Sequence, residues 1–538
     1  MKQFNLFYLL FYVLLHTHTT HAQTKQDSLR GSITPERAWW NVKKYDLQIT
    51  PNLSKQKITG KNSMTFYTSR HGKRMQIDLQ EPMEIDSIQF AEEKTSLSRD
   101  GNVYYITFEN ELFSDQEYNI TFYFSGKPKK AVNAPWDGGW IWKKDNAGNP
   151  WISVACQGLG ASVWYPCKDH QSDEPDLGAK IAITVPNELK AISNGKLAGN
   201  TSIDKLTTYY WEVKNPINNY NIAVYIGKYV NWKDTYLGEK GNLSIDYWVL
   251  EPNFTKAKQQ FAQTKGMLAC FENWFGPYPF YEDGFKIVEA PFLGMEHQSA
   301  IAYGNNFQNG YAGADRSNSG MGTDWDYILV HESGHEWFGN NITSKDIADM
   351  WIHEAFTSYS EVLFVECLKG KDAANKYAQG DRKNTENDKP IIGQYNINKE
   401  GSVDMYSKGS AMIHTIRQLI NNDEKFKQLL RGLNKHYWHT TVTTEQIEKY
   451  MIENSGLKLA KIFDQYLRTN KIPTLEYKQT PTGINYRWTN CVQDFDMKIK
   501  LQNGKILETT ENWNELKNIK IEDFQIDPNL YINVVKVD

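Results

Sequence analysis

The first half of the chain alternates short hydrophobic runs with polar turns. From about residue 45 to residue 250, hydrophobic and polar positions follow each other with a period of two, and Gly, Pro, Asn and Asp separate the runs. This is the pattern of half-buried β-strands, and clear examples lie at residues 118–124, 180–185 and 220–229. It predicts a β-rich amino-terminal domain over residues 23–250.

Past residue 250 the hydrophobic positions take on helical spacing. A long amphipathic pattern at residues 254–275 opens a mostly helical segment that continues to about residue 470. Strand patterns return after Pro473, at residues 475–477, 497–501 and 531–537. We therefore predict a multidomain α+β protein, with a helical domain at residues 251–472 and a small carboxy-terminal β-sandwich at residues 473–538.

The first 22 residues carry a different pattern. Lys2 precedes an apolar run over residues 4–15, and Thr20-His21-Ala22 offers small residues where a signal peptidase cleaves. The run is too short to cross a bilayer as a helix. We predict a signal peptide at residues 1–22, export to the periplasm or the cell exterior, and no stable membrane insertion after cleavage. An uncleaved anchor is the alternative.

Composition fits a large enzyme and excludes one class of partner. The 538 residues suffice for several domains, each with its own core. A net charge of -4 without a basic tract gives no footprint for nucleic acid. The cysteines are too sparse for a disulfide scaffold: Cys156, Cys167, Cys270, Cys367 and Cys491. Cys156 and Cys167 could form a bridge in an oxidising compartment, but buried free cysteines are the favoured interpretation.

Candidate chemistry is concentrated in the sequence from His331 to Glu354. His331 and His335 are four residues apart, so on a helix they project from one face and can hold one metal ion. Glu332 lies about 100° further round that helix, where its carboxylate can act as general base on a metal-bound water. Glu354 is the candidate third ligand. Three protein ligands leave the fourth position open, which is the catalytic arrangement of zinc.

The residues before and after this motif favour a helix. Thr323 is the candidate N-cap, and Asp324 and Asp326 suit the positive end of the helix dipole. Gly339 and the following Asn are candidate stop signals. The motif is therefore predicted to lie on a helix that begins after Thr323.

A second helix, predicted at residues 350–369 and closed by Gly370, carries Glu354 and Glu361 on one face. A short connection between antiparallel helices would bring Glu354 opposite the histidines. We interpret Glu361 as a residue that orients a histidine ligand. An exposed, salt-bridging glutamate is the alternative.

Several segments in a fixed order resemble those of the gluzincin aminopeptidases, the family that contains aminopeptidase N and leukotriene hydrolase. The segments are HESGHEWFGNNIT at residues 331–343, WIHEAFTSYSE at residues 351–361, Gly294-Met295-Glu296, the Tyr-x-Lys-Gly segment that begins at Tyr406, Cys156-Gln157, and Asp173-Glu174-Pro175. The resemblance covers nearly the whole mature chain and implies the same order of β domain, thermolysin-like zinc-peptidase domain at residues 251–472 and β-sandwich. It implies one zinc ion per chain and peptide substrates with a free amino terminus.

The resemblance also implies roles for residues outside the zinc motif. Glu296 would bind the substrate ammonium, helped by Gln157, and Gly294 and Met295 would contact the substrate. A carboxylate suits this task because it supplies both charge and acceptors. Tyr406 would donate to the oxyanion of the tetrahedral intermediate, where one donor contributes several kcal/mol.

Some positions depart from the family pattern. Leu293 and His297 stand where Gly and Asn are usual, and Ala355 replaces the Gly after the glutamate ligand. Residues 168–172 lengthen a further segment. The family's large carboxy-terminal helical domain has no counterpart in the sequence, so we expect a more open entrance to the active site.

The leading hypothesis is an exported zinc aminopeptidase. A zinc endopeptidase, an epoxide hydrolase like leukotriene hydrolase and a non-catalytic interaction protein on the same fold remain alternatives. The sequence does not predict the side-chain preference of the first substrate pocket, the physiological substrate or the oligomeric state.

Overall fold

A computed structural model describes residues 24–91 and 94–538 of the chain. The predicted signal peptide lies outside the described residues. The elements of the amino-terminal unit are α1 (Lys25–Gly31), β1 (Trp40–Asn52), β2 (Lys57–Thr68), β3 (Gly72–Asp78), β4 (Glu84–Phe90), β5 (Thr95–Asp100), β6 (Val103–Leu112), β7 (Gln116–Gly126), β8 (Gly139–Lys144), β9 (Pro150–Ala155), β10 (Ala179–Pro186), β11 (Lys190–Ile192), β12 (Lys196–Ile203), β13 (Leu206–Val213) and β14 (Tyr225–Gly227).

The amino-terminal unit is a stack of sheets, as the alternating pattern predicts. Its largest sheet has the strand order β12-β13-β10-β1-β2-β7-β4, and two smaller sheets have the orders β11-β14-β9-β8 and β3-β6-β5. Residues at every second position, such as Tyr45, Leu47 and Ile49 of β1, enter one core. The predicted strands at 118–124 and 180–185 are observed as β7 and β10.

The predicted strand at 220–229 is wrong in part. Asn219–Asn221 form a 3-10 turn that begins at Asn218, whose side chain accepts a hydrogen bond from the backbone N–H of Tyr220. Only β14 follows within the range, before the next strand begins at Tyr229. Residues 219–227 are all buried, so the period-two alternation that marks a half-buried strand is missing.

The next unit begins with a hairpin that pairs with the strands of the helical segment. Its elements are β15 (Tyr229–Gly238), β16 (Gly241–Leu250), α2 (Phe254–Gln260), α3 (Thr264–Phe275), β17 (Phe285–Glu289), β18 (Gly294–Met295), β19 (Ile301–Tyr303), α4 (Tyr327–Gly334), β20 (Ile342–Ser344), α5 (Trp351–Lys369), α6 (Lys371–Asp381), α7 (Ser407–Ile420), α8 (Asp423–His436), β21 (Thr440–Val442), α9 (Thr444–Ser455) and α10 (Ala460–Arg468).

A five-stranded sheet of this unit forms one wall of the candidate active site. Its strand order is β15-β16-β17-β19-β18, so β18 is an edge strand. The sheet crosses residue 250, where the sequence places a domain boundary. Leu243, Ile245 and Val249 of β16 enter the core of the helical unit, which is why the hairpin packs there. The helix predicted at 254–275 is divided into α2 and α3 by a 3-10 turn at Phe261–Gln263.

The chain ends in a small β unit, as predicted. Its strands are β22 (Thr474–Thr480), β23 (Gly483–Thr489), β24 (Ile499–Lys500), β25 (Ile506–Leu507), β26 (Asn514–Lys517) and β27 (Asn533–Lys536). They form a four-stranded sheet, β26-β23-β22-β27, and the pair β24-β25. Leu475 and Trp488 belong to the same hydrophobic cluster as the helical unit, so this β unit is packed against it.

The cysteines correct one expectation. Cys270 of α3 and Cys367 of α5 form a disulfide with a Cα–Cα distance of 6.1 Å, a pair that the sequence does not single out. Cys156 and Cys167 are free and buried, in line with the favoured interpretation. Across residues 24–91 and 94–538, we find no helix that combines the length and apolarity a membrane span needs.

Candidate active site

The zinc motif spans the end of α4, with His331 and Glu332 on the helix and His335 as its C-cap residue in helical conformation. The helix begins later than the sequence predicts. Asp326, not Thr323, is the N-cap, and its side chain accepts a hydrogen bond from the backbone N–H of Leu329. The helix ends at Gly334, before the predicted stop at Gly339. A Cβ atom on Gly334 would lie 2.5 Å from the hydroxyl of Ser360 in α5, so this glycine allows α4 and α5 to cross closely.

The crossing of α4 and α5 brings three donor atoms together. Nε2 of His331 and Nε2 of His335 are 3.3 Å apart. Oε2 of Glu354 lies 3.8 Å from the first nitrogen and 3.5 Å from the second. Tetrahedral zinc ligands at ordinary bond lengths are about 3.3 Å apart. The three atoms therefore have the spacing of a zinc ligand set.

The hydrogen bonds of the two histidine Nδ1 atoms, which point away from the shared centre, also fit a zinc site. Nδ1 of His331 is 2.7 Å from Oε1 of Glu361, and Nδ1 of His335 is 2.9 Å from the carbonyl of Phe338. When each Nδ1–H donates to its acceptor, both Nε2 lone pairs point at the shared centre. Glu361 is buried rather than exposed and also accepts from Tyr377 at 2.7 Å.

Glu354 supplies the clearest sign that a cation belongs here. Its Oε2 is buried and has no hydrogen-bond partner among the described residues, which is costly unless an ion completes the site. Burial works to raise the pKa of this carboxyl, but His335, His331 and the Tyr406 hydroxyl outweigh it and the pKa is lowered. The residues present therefore fit a divalent metal ion.

Glu332 stands beside the ligands without binding a partner of its own. Its carboxylate accepts no hydrogen bond from the described residues and lines the cavity. Burial raises its pKa well above the ordinary value. A Cβ atom on Gly294 would lie 2.5 Å from Oε1 of Glu332, so the edge strand β18 passes in direct contact with this carboxylate.

Glu296 follows the edge strand and is held by several donors. Gln157 Nε2 donates a short hydrogen bond to its Oε1, and the hydroxyl of Tyr220 donates to the same atom at 3.0 Å. Asn340 fixes the backbone by donating to the Glu296 carbonyl at 2.9 Å. Burial raises the pKa of the Glu296 carboxyl. Carboxylate oxygens of Glu296 and Glu332 and a ring nitrogen of His335 lie within 4.8 Å of one another.

Tyr406 and the metal-site residues face one cavity of about 670 Å³. Tyr406 precedes α7, and its ring lies 6.1 Å from the ring of His331. Gln157, Gly294, Met295 and Glu296 line the same cavity. The structure thus brings together every site residue singled out in the sequence, with Glu361 behind His331.

The departures from the family pattern have different structural consequences. His297 is buried outside the cavity, with Nδ1 2.6 Å from the hydroxyl of Tyr225, whereas Leu293 lines the cavity. Ala355 packs against the start of α7, where a Cβ on Gly409 would lie 2.5 Å from the Ala355 Cβ. Of these three changes, only that at Leu293 alters the cavity wall.

Some residues of the site carried no signal in the sequence. Tyr220 lies in a turn 76 positions before Glu296, which it contacts. Tyr377 reaches Glu361 from α6. Arg316 lines the cavity from the long loop before α4. None of these three residues is separated from a predicted site residue by a helical or strand period, so periodicity could not identify them.

These features define a metallohydrolase-type site on an α+β fold. Comparison with known proteins extends this: the peptidase M1 N-terminal domain matches residues 41–220, and the peptidase family M1 domain matches residues 259–466. Together the two matches cover more than half of the chain. The chain therefore belongs to peptidase family M1.

Named relatives agree with the family match. Leukotriene A-4 hydrolase of Xenopus laevis is 25% identical over 333 residues, which cover 58% of this chain and 51% of that protein. Aminopeptidase B of Mus musculus is 22% identical over 335 residues, which cover 58% of this chain and 48% of that protein. The chain spans about half the length of the curated relatives it matches.

Solved structures support the fold. The M1 zinc metallopeptidase of Deinococcus radiodurans superposes with a TM-score of 0.68 at 20% identity, over 81% of this chain and 95% of that one. A variant of the same enzyme, solved with a Tyr-Ser-Ala substrate, gives a TM-score of 0.66 at 19% identity, over 78% and 93% of the two chains. The predicted fold class is confirmed.

Proposed function

We propose that the protein is a zinc aminopeptidase that hydrolyses the first peptide bond of peptides with a free amino terminus, and that one zinc ion is held by His331, His335 and Glu354. The observation that carries the proposal is the position of Glu296. This buried carboxylate lies against the metal-site residues, where it can hold an ammonium group one residue away from the scissile bond.

Zinc in such a site acts as a Lewis acid and lowers the pKa of a water molecule to about 7. Glu332 carries out the proton transfers. Its unpaired carboxylate faces the cavity, so it can accept a proton from water and later deliver it to the departing amine. The raised pKa of this carboxyl favours the first transfer, in which it accepts the proton.

The remaining residues position the substrate and stabilise charge. Gln157 and Tyr220 hold the Glu296 carboxylate in place, so that it presents a fixed acceptor to the substrate ammonium. Gly294 and Met295 form an edge strand with which an extended peptide can pair. The hydroxyl of Tyr406 donates to the oxyanion that forms at the scissile carbonyl.

The Glu296→Gln variant tests the anchor. Glutamine keeps the size and hydrogen bonds of the side chain but loses its charge, so KM for leucine anilide should rise about tenfold or more. The metal content should stay that of the wild type because Glu296 is not a ligand in this proposal. An unchanged KM would place the amine anchor elsewhere.

A zinc endopeptidase is the nearest alternative because it would use the same metal centre. It predicts cleavage of peptides whose amino terminus is acetylated, whereas an ammonium anchor excludes them. Comparing one peptide with its acetylated form separates the two activities.

We propose further that the protein is exported after cleavage of a signal peptide. The Cys270–Cys367 disulfide supports export because thiols stay reduced in the cytosol. Peptide mapping of protein purified from its native cells would test both points. An intact first segment and free thiols at both positions would contradict them.

A further inference from the structure

Arg316 is the only Lys or Arg among the described residues that line the catalytic cavity. Its positive charge is opposite to that of four carboxylates that lie outside the metal site and line the same cavity, namely Asp137, Glu386, Glu400 and Asp404. A negatively charged group that enters the cavity therefore meets opposite charge at one protein side chain, Arg316.

One nitrogen of the guanidinium group makes a hydrogen bond, and the other two are accessible to solvent. Nη1 donates to the hydroxyl of Tyr327, which is the only hydrogen bond of this group within the described residues. Its Cζ atom lies 5.6 Å from the centre of the Tyr327 ring and 5.8 Å from that of Tyr406. Nε and Nη2 are neither bonded nor sealed off from solvent, so they remain available to a ligand.

Arg316 and Glu296 approach different histidines of the candidate metal site. Glu296 clusters with His335. Arg316 instead bonds Tyr327, whose ring stacks 5.4 Å from the ring of His331. A peptide with its ammonium on Glu296 and its first carbonyl at the two histidines has room to extend along the cavity wall that Arg316 lines. In that arrangement the guanidinium would meet the part of the substrate that follows the scissile bond.

We infer that Arg316 binds the carboxy-terminal carboxylate of short peptide substrates and so makes the protein selective for them. This inference rests on the proposed aminopeptidase function and adds a substrate class to it. Guanidinium recognises a carboxylate through two parallel N–H donors, and two donors of Arg316 are open. Long peptides, and peptides with a blocked carboxy terminus, lack that interaction near the metal centre.

A purely structural role for Arg316 makes a different prediction. Tyr327 and then the carboxylates of Asp381 and Glu361 raise its pKa, against the burial that lowers it. Removing the charge could therefore disturb Glu361, which orients His331. Such a disturbance would lower hydrolysis of every substrate by the same factor, whatever group stands at the carboxy terminus.

The experiment compares kcat/KM for matched di- and tripeptides that end in a free carboxylate or in a carboxamide. Wild type, Arg316→Gln and Arg316→Lys would be assayed at equal zinc content. Glu400→Gln is the matched control because it removes an opposite charge from the same cavity. We expect wild type to prefer the free acid by about tenfold or more, the range of a charge-assisted hydrogen bond.

In Arg316→Gln that preference should fall to about one, with Arg316→Lys in between and Glu400→Gln no lower than wild type. Equal hydrolysis of acid and amide by wild type would overturn the inference while leaving the aminopeptidase proposal intact. So would an equal loss on both substrates in Arg316→Gln. If wild type cleaves no free-amine peptide, the proposed function fails. Binding constants of the same acid and amide pair would then decide the role of Arg316.

Discussion

Replacing Gly294 with alanine should disable the proposed general base without touching a metal ligand. The new Cβ would lie 2.5 Å from Oε1 of Glu332 and 2.7 Å from Cγ2 of Ile328, where ordinary contact begins at 3.4 Å. The carboxylate oxygen must therefore retreat by 0.9 Å, the difference between 3.4 and 2.5 Å. The backbone of Gly294 carries no positive φ, so the conflict is one of space alone.

A displacement of about 1 Å in a catalytic group can cost a factor of about 100 in rate. We therefore expect kcat of Gly294→Ala to fall about 100-fold on leucine anilide. Oε1 of Glu332 ends a side chain that can move, whereas the Cγ2 methyl of buried Ile328 is fixed by its β-branch on α4, so we also expect some loss of thermal stability. Metal content, measured by atomic absorption, should stay that of the wild type.

Gly266→Ala provides the matched control. Gly266 lies in α3, and a Cβ there would have no neighbour within 4 Å. Alanine should stabilise the helix by up to about 1 kcal/mol and leave kcat unchanged. If Gly294→Ala kept kcat within twofold of wild type with full metal content, the assignment of Glu332 as the base held beneath β18 would be refuted.

Three further perturbations separate the remaining roles. Glu332→Gln should retain zinc and lose nearly all turnover, and a kcat close to that of wild type at full metal content would remove the base assignment. Tyr406→Phe should lower kcat about 100-fold with little change in KM, since its hydroxyl acts mainly in the transition state; an unchanged kcat would exclude that role. The double change Cys270→Ser and Cys367→Ser opens a bridge across 97 residues and should cost up to about 4–5 kcal/mol of unfolding free energy by loop entropy. Denaturant titration against Cys491→Ser, a free cysteine, measures the last effect, and equal midpoints for the two variants would contradict it.

Helical spacing is enough to place the two candidate metal-binding histidines side by side. His331 lies on α4 and His335 is its C-cap residue, still in helical conformation, while α5 carries Glu354 and Glu361. The same periodicity predicts strands such as β7 and β10. It could not predict the N-cap of α4, since Thr323 and Asp326 both suit that position and only the packing selects Asp326.

Residues that reach the site from irregular segments escape this kind of reasoning. Tyr220 belongs to a buried turn that resembles a strand in composition, and Arg316 lies in a loop whose path depends on the whole fold. The Cys270–Cys367 pair likewise needs α3 and α5 to pack before the two sulfur atoms meet. In each case the contact is long-range, so no local spacing encodes it.

Hydrolysis of a panel of aminoacyl anilides by the purified protein tests the central claim most directly. Each substrate would be assayed with and without a chelator, next to its acetylated counterpart. The account predicts chelator-sensitive cleavage of the free-amine substrates alone, restored by added zinc. Cleavage of the acetylated substrates at a similar rate, or no cleavage of any substrate by protein with bound zinc, would contradict it.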